Sequence, residues 1–293
     1  FRFNETEMML AGMKREDIAV LHASLGGVAE YLSFVNPKKS LRENLIHLFF
    51  SKHGRMYVEP ENLLNQELRE PGLYHQILDA MANGASKNSE IATKVRMESG
   101  GIGKYLDSLI ELGIIKKEAP FEGKSQRKSI YRISDGCYRF WYRFVNKNKS
   151  AIELGLGEDV YDERVKDELS DFMGYGFEQV AFDIIDELSY QKKLPGVVFN
   201  RGRWWGNNKK VRREEEIDYV GRTREGMIFA EIKWRSDKMN SSALKSLIEK
   251  SMLIDAPKRD YILVSKSGFT NELKKEAQKA GVVLYRFDKG ILE

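Results

Sequence analysis

The sequence holds one cysteine, Cys137, in 293 residues. That excludes an intramolecular disulfide framework and fits a reducing, cytoplasmic compartment. Its four histidines are scattered, too few for a structural zinc site, so any metal would be held by carboxylates. No apolar run approaches the roughly 18 residues that cross a bilayer, and no signal-peptide pattern occurs, so no membrane partner is expected. A G-x-x-x-x-G-K-[ST] motif is missing, as is an apolar strand ending in paired acids, so this chain should not bind ATP in the P-loop manner. Internal repeats and low-complexity runs are absent too.

What is present describes a folded protein of two or three domains, with 42% hydrophobic and 31% charged residues. The chain begins at Phe1 with no capping or targeting signal, and we expect it to be the C-terminal part of a longer polypeptide. The net charge is only +4, but it is unevenly spread. Residues 73–150 carry 14 basic and 8 acidic side chains and residues 201–293 carry 21 and 14, whereas residues 151–200 carry 4 and 12. Locally basic blocks on a nearly neutral chain suit a polyanionic partner at particular surfaces, although ordinary solvated faces give similar counts.

Residues 1–72 read as a helical subdomain without chemistry of its own. In "LRENLIHLFF", Leu41, Leu45, Leu48 and Phe49 recur at helical spacing. Residues 73–134 follow a sharper pattern. "LYHQILDAMANG", "KNSEIATKV" and "ESGGIGKYLDSLIELG" read as three helices, and "IIKKEAPFEGKSQRKSIYRIS" as a strand, a basic turn and a second strand. Three helices and a hairpin are the order of a winged helix-turn-helix, whose third helix enters the major groove while the wing meets phosphates. Ser99, Lys104 and Tyr105 would lie on the outward part of that helix, with Lys124, Arg127 and Lys128 at the wing tip. DNA is the expected partner; winged helices also serve as protein-protein modules, and three glycines leave few side chains to read bases. Nothing fixes the oligomeric state. The stretch "DGCYRFWYRFVNKNKS" closes this unit at residue 150. Its aromatic residues could stack on bases, but Tyr138, Trp141, Tyr142 and Val145 recur at helical spacing, which favours burial.

Residues 151–293 alternate helix (172–189), strand ("GVVFN"), strand ("EIDYV"), strand ("MIFAEIKW"), helix, strand, helix and strand. Helix, three strands, helix, strand (αβββαβ) is the core order of the PD-(D/E)XK nuclease-like fold. Alternation puts Glu216, Asp218 and Val220 on one strand face, and Phe229, Glu231 and Lys233 on one face of the next. Antiparallel pairing across the turn-rich 221–226 connection brings Asp218 near Glu231, and Glu178 adds a third carboxylate from the preceding helix. Hydrolysis of a phosphodiester suits these types. Mg²⁺ or Mn²⁺ prefers hard oxygen ligands, here Asp218 and Glu231, with the Ile232 carbonyl a further donor. Lys233 offsets developing negative charge; as a base it would need a pKa far below about 10.4. In "RGRWWGNNKKVRREEE", Arg203 and its basic neighbours either form a backbone-binding rim or belong to an ordinary surface loop around one buried tryptophan.

The segments "GGVAEYL", "LRENLIHLFF", "LREPGLYHQILDAMANG", "YRISDGCYRFWYRFV", "FEQVAFDII" and "EIDYVG…FAEIKW" carry a resemblance in their order. The chain resembles the C-terminal half of archaeal and bacterial P-loop ATPases of the AAA/STAND type. The resemblance implies a lid-like ATPase end at 1–72, a winged helix at 73–150 and a PD-(D/E)XK-like domain at 151–293. It implies ATP binding only in a preceding module. Ala29 departs from the proline usual after the glycine pair and a branched residue, whereas Glu178, Asp218, Glu231 and Lys233 all match the nuclease-like positions. Three readings stand: a Mg²⁺-dependent deoxyribonuclease targeted by its winged helix, a catalytically inactive module binding nucleic acid or protein, and a switch gating the ATPase.

Overall fold

Capping chemistry sets the helix boundaries in the computed structural model, which describes residues 1–121 and 129–293. Helices α1 (Phe3–Met9), α2 (Arg15–Leu25), α3 (Ala29–Ser33), α4 (Leu41–Phe49) and α5 (Arg55–Glu67) fill the first 72 residues. At α4, the Ser40 hydroxyl accepts from the Glu43 amide at 3.2 Å while the Glu43 carboxylate accepts from the Ser40 amide at 2.9 Å. This capping box satisfies two amides that have no partner within the helix. The face that the spacing predicts, Leu45, Leu48 and Phe49, is buried.

Helices α6 (Pro71–Ala82), α7 (Asn88–Lys94) and α8 (Gly103–Glu111) lead into strands β1 (Ile115–Glu118) and β2 (Ile130–Ile133), which pair antiparallel. The third helix starts at Gly103, later than the sequence suggests. Gly100 and Gly101 lie in the turn before it, because glycine loses the most backbone entropy on entering a helix. The aromatic stretch forms α9 (Gly136–Phe140), capped by Asp135, and continues through a π-helical turn, Trp141–Val145, towards α10 (Lys149–Glu153). Tyr138, Trp141, Tyr142 and Val145 are all buried, and the Trp141 indole donates to the Tyr57 carbonyl at 2.9 Å. Burial, not base stacking, accounts for this composition.

After α11 (Gly157–Val160) and the long α12 (Leu169–Tyr190) come β3 (Asn200–Asn208), β4 (Arg213–Arg222), β5 (Met227–Lys233), α13 (Ser241–Ser251), β6 (Arg259–Ser265), α14 (Asn271–Ala280), β7 (Val283–Arg286) and β8 (Ile291–Leu292). These strands form a mixed sheet in the order β3-β4-β5-β6-β7-β8, parallel only for β5/β6 and β6/β7. The first strand lies later than the "GVVFN" segment. Residues 201–208, read as loop, pair with β4 except at Arg203, and the turn between the strands is confined to residues 209–212.

Two apolar clusters flank the sheet. Tyr219, Ile228, Ala230, Ile232, Ile262 and Val264 join α12 in a cluster that runs from Phe3 to Phe287 and draws on all three expected segments. Val220, Phe229, Leu263 and Leu284 pack with α13 and α14 residues in the other. Phe121, past the end of β1, belongs to this second cluster, and its amide donates to the Arg203 carbonyl of β3 at 2.7 Å. The hairpin is thus fastened to the sheet edge by a buried ring and a backbone bond. Phe121→Ala should lower unfolding stability by about 3–5 kcal/mol, the usual cost of emptying a buried phenyl site, read as a shift in denaturant midpoint.

Candidate active site on the six-stranded sheet

The site starts from an irregularity in pairing. Gly202 pairs with Val220 and Trp204 with Ile217, so Arg203 alone on β3 faces both Asp218 and Tyr219 on β4. This β-bulge breaks the alternation that the sequence suggests. Ile217 and Val220 enter the same cluster, while Tyr219 enters the opposite one. The β4/β5 register Tyr219↔Ala230 brings Asp218 and Glu231 next to each other as expected. There the Asp218 carboxylate itself accepts the Ile232 amide at 2.9 Å.

Asp218 and Glu231 are each 6% exposed. Lys233 Nζ lies 2.6 Å from Glu231 Oε1 and 3.7 Å from Asp218 Oδ2, and Lys250 Nζ of α13 lies 3.9 Å from Glu231 Oε2. Burial pushes the Asp218 carboxyl up to about 6, with Glu231 adding to the rise and Lys233 opposing it. Burial alone would lower the Lys233 pKa, but Asp218 and Glu231 together raise it above the ordinary value. Lys233 is therefore a fixed cation at neutral pH, and it fits electrostatic stabilisation rather than proton abstraction.

Glu178, on α12, stands beside this trio. Its carboxyl is pushed up to about 8 by burial, which the Arg203 guanidinium opposes and Asp218 reinforces. Arg203 is the correction to the expected rim. It is 9% exposed, with Nε 3.0 Å from Glu178 Oε2, Nη2 3.5 Å from Glu216 and Nη1 3.9 Å from Glu118 of β1. A place inside a strand, rather than in a loop, turns it into the interior.

As to metal, Glu231 Oε2 is buried with no hydrogen-bond partner among the described residues, and Asp218 supplies a second hard oxygen beside it. Two carboxylates fit a Mg²⁺-type ion that keeps several waters. Among the described residues no group of three or more His, Cys, Asp or Glu side chains is placed to share an ion, so Glu178 is not a third ligand here.

The expected DNA-facing residues divide. Ser99 is exposed but precedes α8, and Lys104 is exposed on it. Tyr105, expected outward, is buried instead: its ring meets Tyr74 edge-on at 5.3 Å and its hydroxyl donates to Glu70 at 2.7 Å. It flanks the Ile102, Leu106 and Leu109 stripe, which draws it inward. Lys124, Arg127 and Lys128 lie outside the described residues. Sequence reasoning missed Lys250 and Glu118. The signal for Lys250 was its position three residues after Leu247 on the buried stripe of α13.

Residues 141–245 match DUF234, a family of archaeal and bacterial proteins of unknown function. The DUF234 segment contains Glu178, Arg203, Asp218, Glu231 and Lys233 and excludes the three helices and hairpin of 73–134. An uncharacterised protein of Methanocaldococcus jannaschii, MJECL04, is 32% identical over 215 residues, covering 71% of this chain and 47% of its own. The chain thus spans about half the length of that relative. The crystal structure of VC1899 from Vibrio cholerae aligns with 80% of this chain and 52% of its own at 15% identity, with a TM-score of 0.33. A likeness of that size carries nothing about function.

The raised carboxyls have a pH signature. Both groups bind protons more tightly folded than at their ordinary values of 3.8 and 4.5, so their stabilising contribution is complete below those values. It is lost as pH rises through about 6 for Asp218 and about 8 for Glu178. Carboxyl ¹³C titration should find these midpoints, and Asp218→Asn should lower the Glu178 midpoint by removing a neighbouring negative charge.

Proposed function

We propose that residues 151–293 form a metal-dependent phosphodiesterase unit of the PD-(D/E)XK type acting on DNA, with residues 73–134 as its winged helix. The observation carrying this reading is the meeting of Asp218, Glu231 and Lys233 on paired strands, with the Lys233 ammonium 2.6 and 3.7 Å from the two carboxylates. Mg²⁺ or Mn²⁺ would be held by Asp218 and Glu231 and would supply Lewis-acid activation of water and phosphoryl oxygen. Lys233, charged at neutral pH, offsets charge developing on the phosphoryl group. Glu178, its carboxyl raised to about 8 by burial against the opposing pull of Arg203, faces that guanidinium at 3.0 Å and holds it at the edge of the site. By the resemblance above, the whole protein is an ATPase whose nucleotide site lies outside this chain.

A second reading, an inactive module that binds nucleic acid or protein and regulates the ATPase, draws on two observations. Glu178 already faces the buried Arg203, and no three-ligand acid group occurs among the described residues. Incubation with single-stranded, duplex and branched DNA separates the two. The nuclease reading expects cleavage with Mg²⁺ or Mn²⁺ that falls at least about 100-fold in Asp218→Ala and Lys233→Ala. DNA left intact on every substrate and with both metals, but bound in a salt-sensitive way, sinks it and favours the regulatory module.

A further inference from the structure

Between the hairpin and α12 the ring of Tyr175 is surrounded by cations. Arg139 lies 5.0 Å from its centroid, Arg132 5.2 Å, Arg203 5.7 Å and Lys116 5.8 Å. The carboxylates facing them from within are Glu118, Glu178 and Asp135; Glu216 meets Arg203 from the surface, Glu168 meets Arg143, and Asp171 lies at the solvent edge. Four cations against three carboxylates leave a net positive charge in a seam only partly closed to water, since the Lys116 and Arg132 side chains are 36% and 32% exposed, and an anion can answer that charge.

The pairing in this seam is also incomplete. Arg203 Nε stands 3.0 Å from Glu178 Oε2, and Arg132 Nε 3.3 Å from Glu118 Oε2, yet none of these atoms is in hydrogen-bond geometry. Arg203 Nη1 and Arg139 Nε likewise have no hydrogen-bond partner among the described residues. Native interiors seldom leave so many buried polar atoms in one place without a bound group or ordered water to meet them. Next to two of these residues, Arg132 and Arg139, opens a cavity of about 320 Å³, with Arg143 also in its lining and Met81, Phe172 and Tyr175 as apolar surface.

We propose that this cavity binds a phosphomonoester dianion, with Arg132, Arg139 and Arg143 as its donors. Guanidinium groups match phosphate oxygens with forked, charge-assisted hydrogen bonds, and the apolar lining gives room for an organic substituent on the phosphate. The site lies outside the Asp218, Glu231 and Lys233 trio and does not depend on cleavage there.

Inorganic phosphate and AMP, titrated without metal at constant ionic strength set with chloride, test it through ³¹P line broadening and the shift in melting temperature. Saturable binding of phosphate or AMP is expected, at least tenfold weaker in Arg132→Gln and in Arg143→Gln, and unchanged in Asp218→Ala. AMP binding at least tenfold tighter than phosphate assigns a nucleotide; equal or tighter phosphate assigns the free anion. No saturable effect of either ligand, or binding equally strong in both arginine variants, overturns the proposal. Because Asp218→Ala should abolish cleavage yet keep phosphate binding, failure of one reading is distinguishable from failure of the other.

Discussion

The additional residue that β4 carries opposite Arg203 is the constraint on which the site depends. In an unbroken ladder, strict alternation would put Asp218 on the face of Val220, inside the apolar layer under α13. The bulge lets Ile217 and Val220 both enter that layer and leaves Asp218 to take the Ile232 amide, a donor beyond the last β4/β5 pair. One slip in register therefore satisfies a buried amide, keeps a carboxylate out of the hydrocarbon core, and sets it beside Glu231.

The same slip aims Arg203 inward, where it meets carboxylates from three elements: Glu118 of β1, Glu178 of α12 and Glu216 of β4. Buried charges of this kind add little net stability, but removing one partner is expensive, on the order of 3–5 kcal/mol, because the other stays buried and unpaired. Their consequence is coupling. With Phe121 inserted in the second cluster, the hairpin cannot move away from the sheet without exposing an apolar ring and uncovering Arg203, which faces Glu178. Whatever the hairpin touches is thereby linked physically to the acidic site.

Much of this was legible in the sequence, and the failures share a cause. Period-two patterning located β5 and its Glu231 and Lys233, and helical spacing located α12 and Glu178. Antiparallel pairing across a short turn was enough to bring Asp218 near Glu231. The segment around Trp204 and Trp205 was not legible, because glycines, asparagines and charges read as loop, whereas ladder pairing at eight of its nine residues makes it a strand. Arg203 was therefore assigned to the surface. Tyr105 was misplaced for a related reason: an amphipathic tyrosine beside an apolar stripe can bury its ring once a carboxylate, Glu70, lies within reach of its hydroxyl. The bulge itself leaves no signature in one sequence, since it is decided by which residues across the ladder have a better partner elsewhere. No helix among the described residues is long and apolar enough to cross a membrane, in keeping with the absence of long apolar runs.

The central claim is that Asp218 and Glu231 form a place for a divalent ion, with Lys233 as its charged neighbour. The most direct measurement is a Mn²⁺ titration followed by paramagnetic broadening of carboxyl ¹³C signals. The account predicts saturable broadening that reaches Asp218 and Glu231 first and is displaced by Mg²⁺. Broadening confined to exposed acids such as Glu158 and Asp162, with Asp218 and Glu231 unaffected at saturating metal, would contradict it.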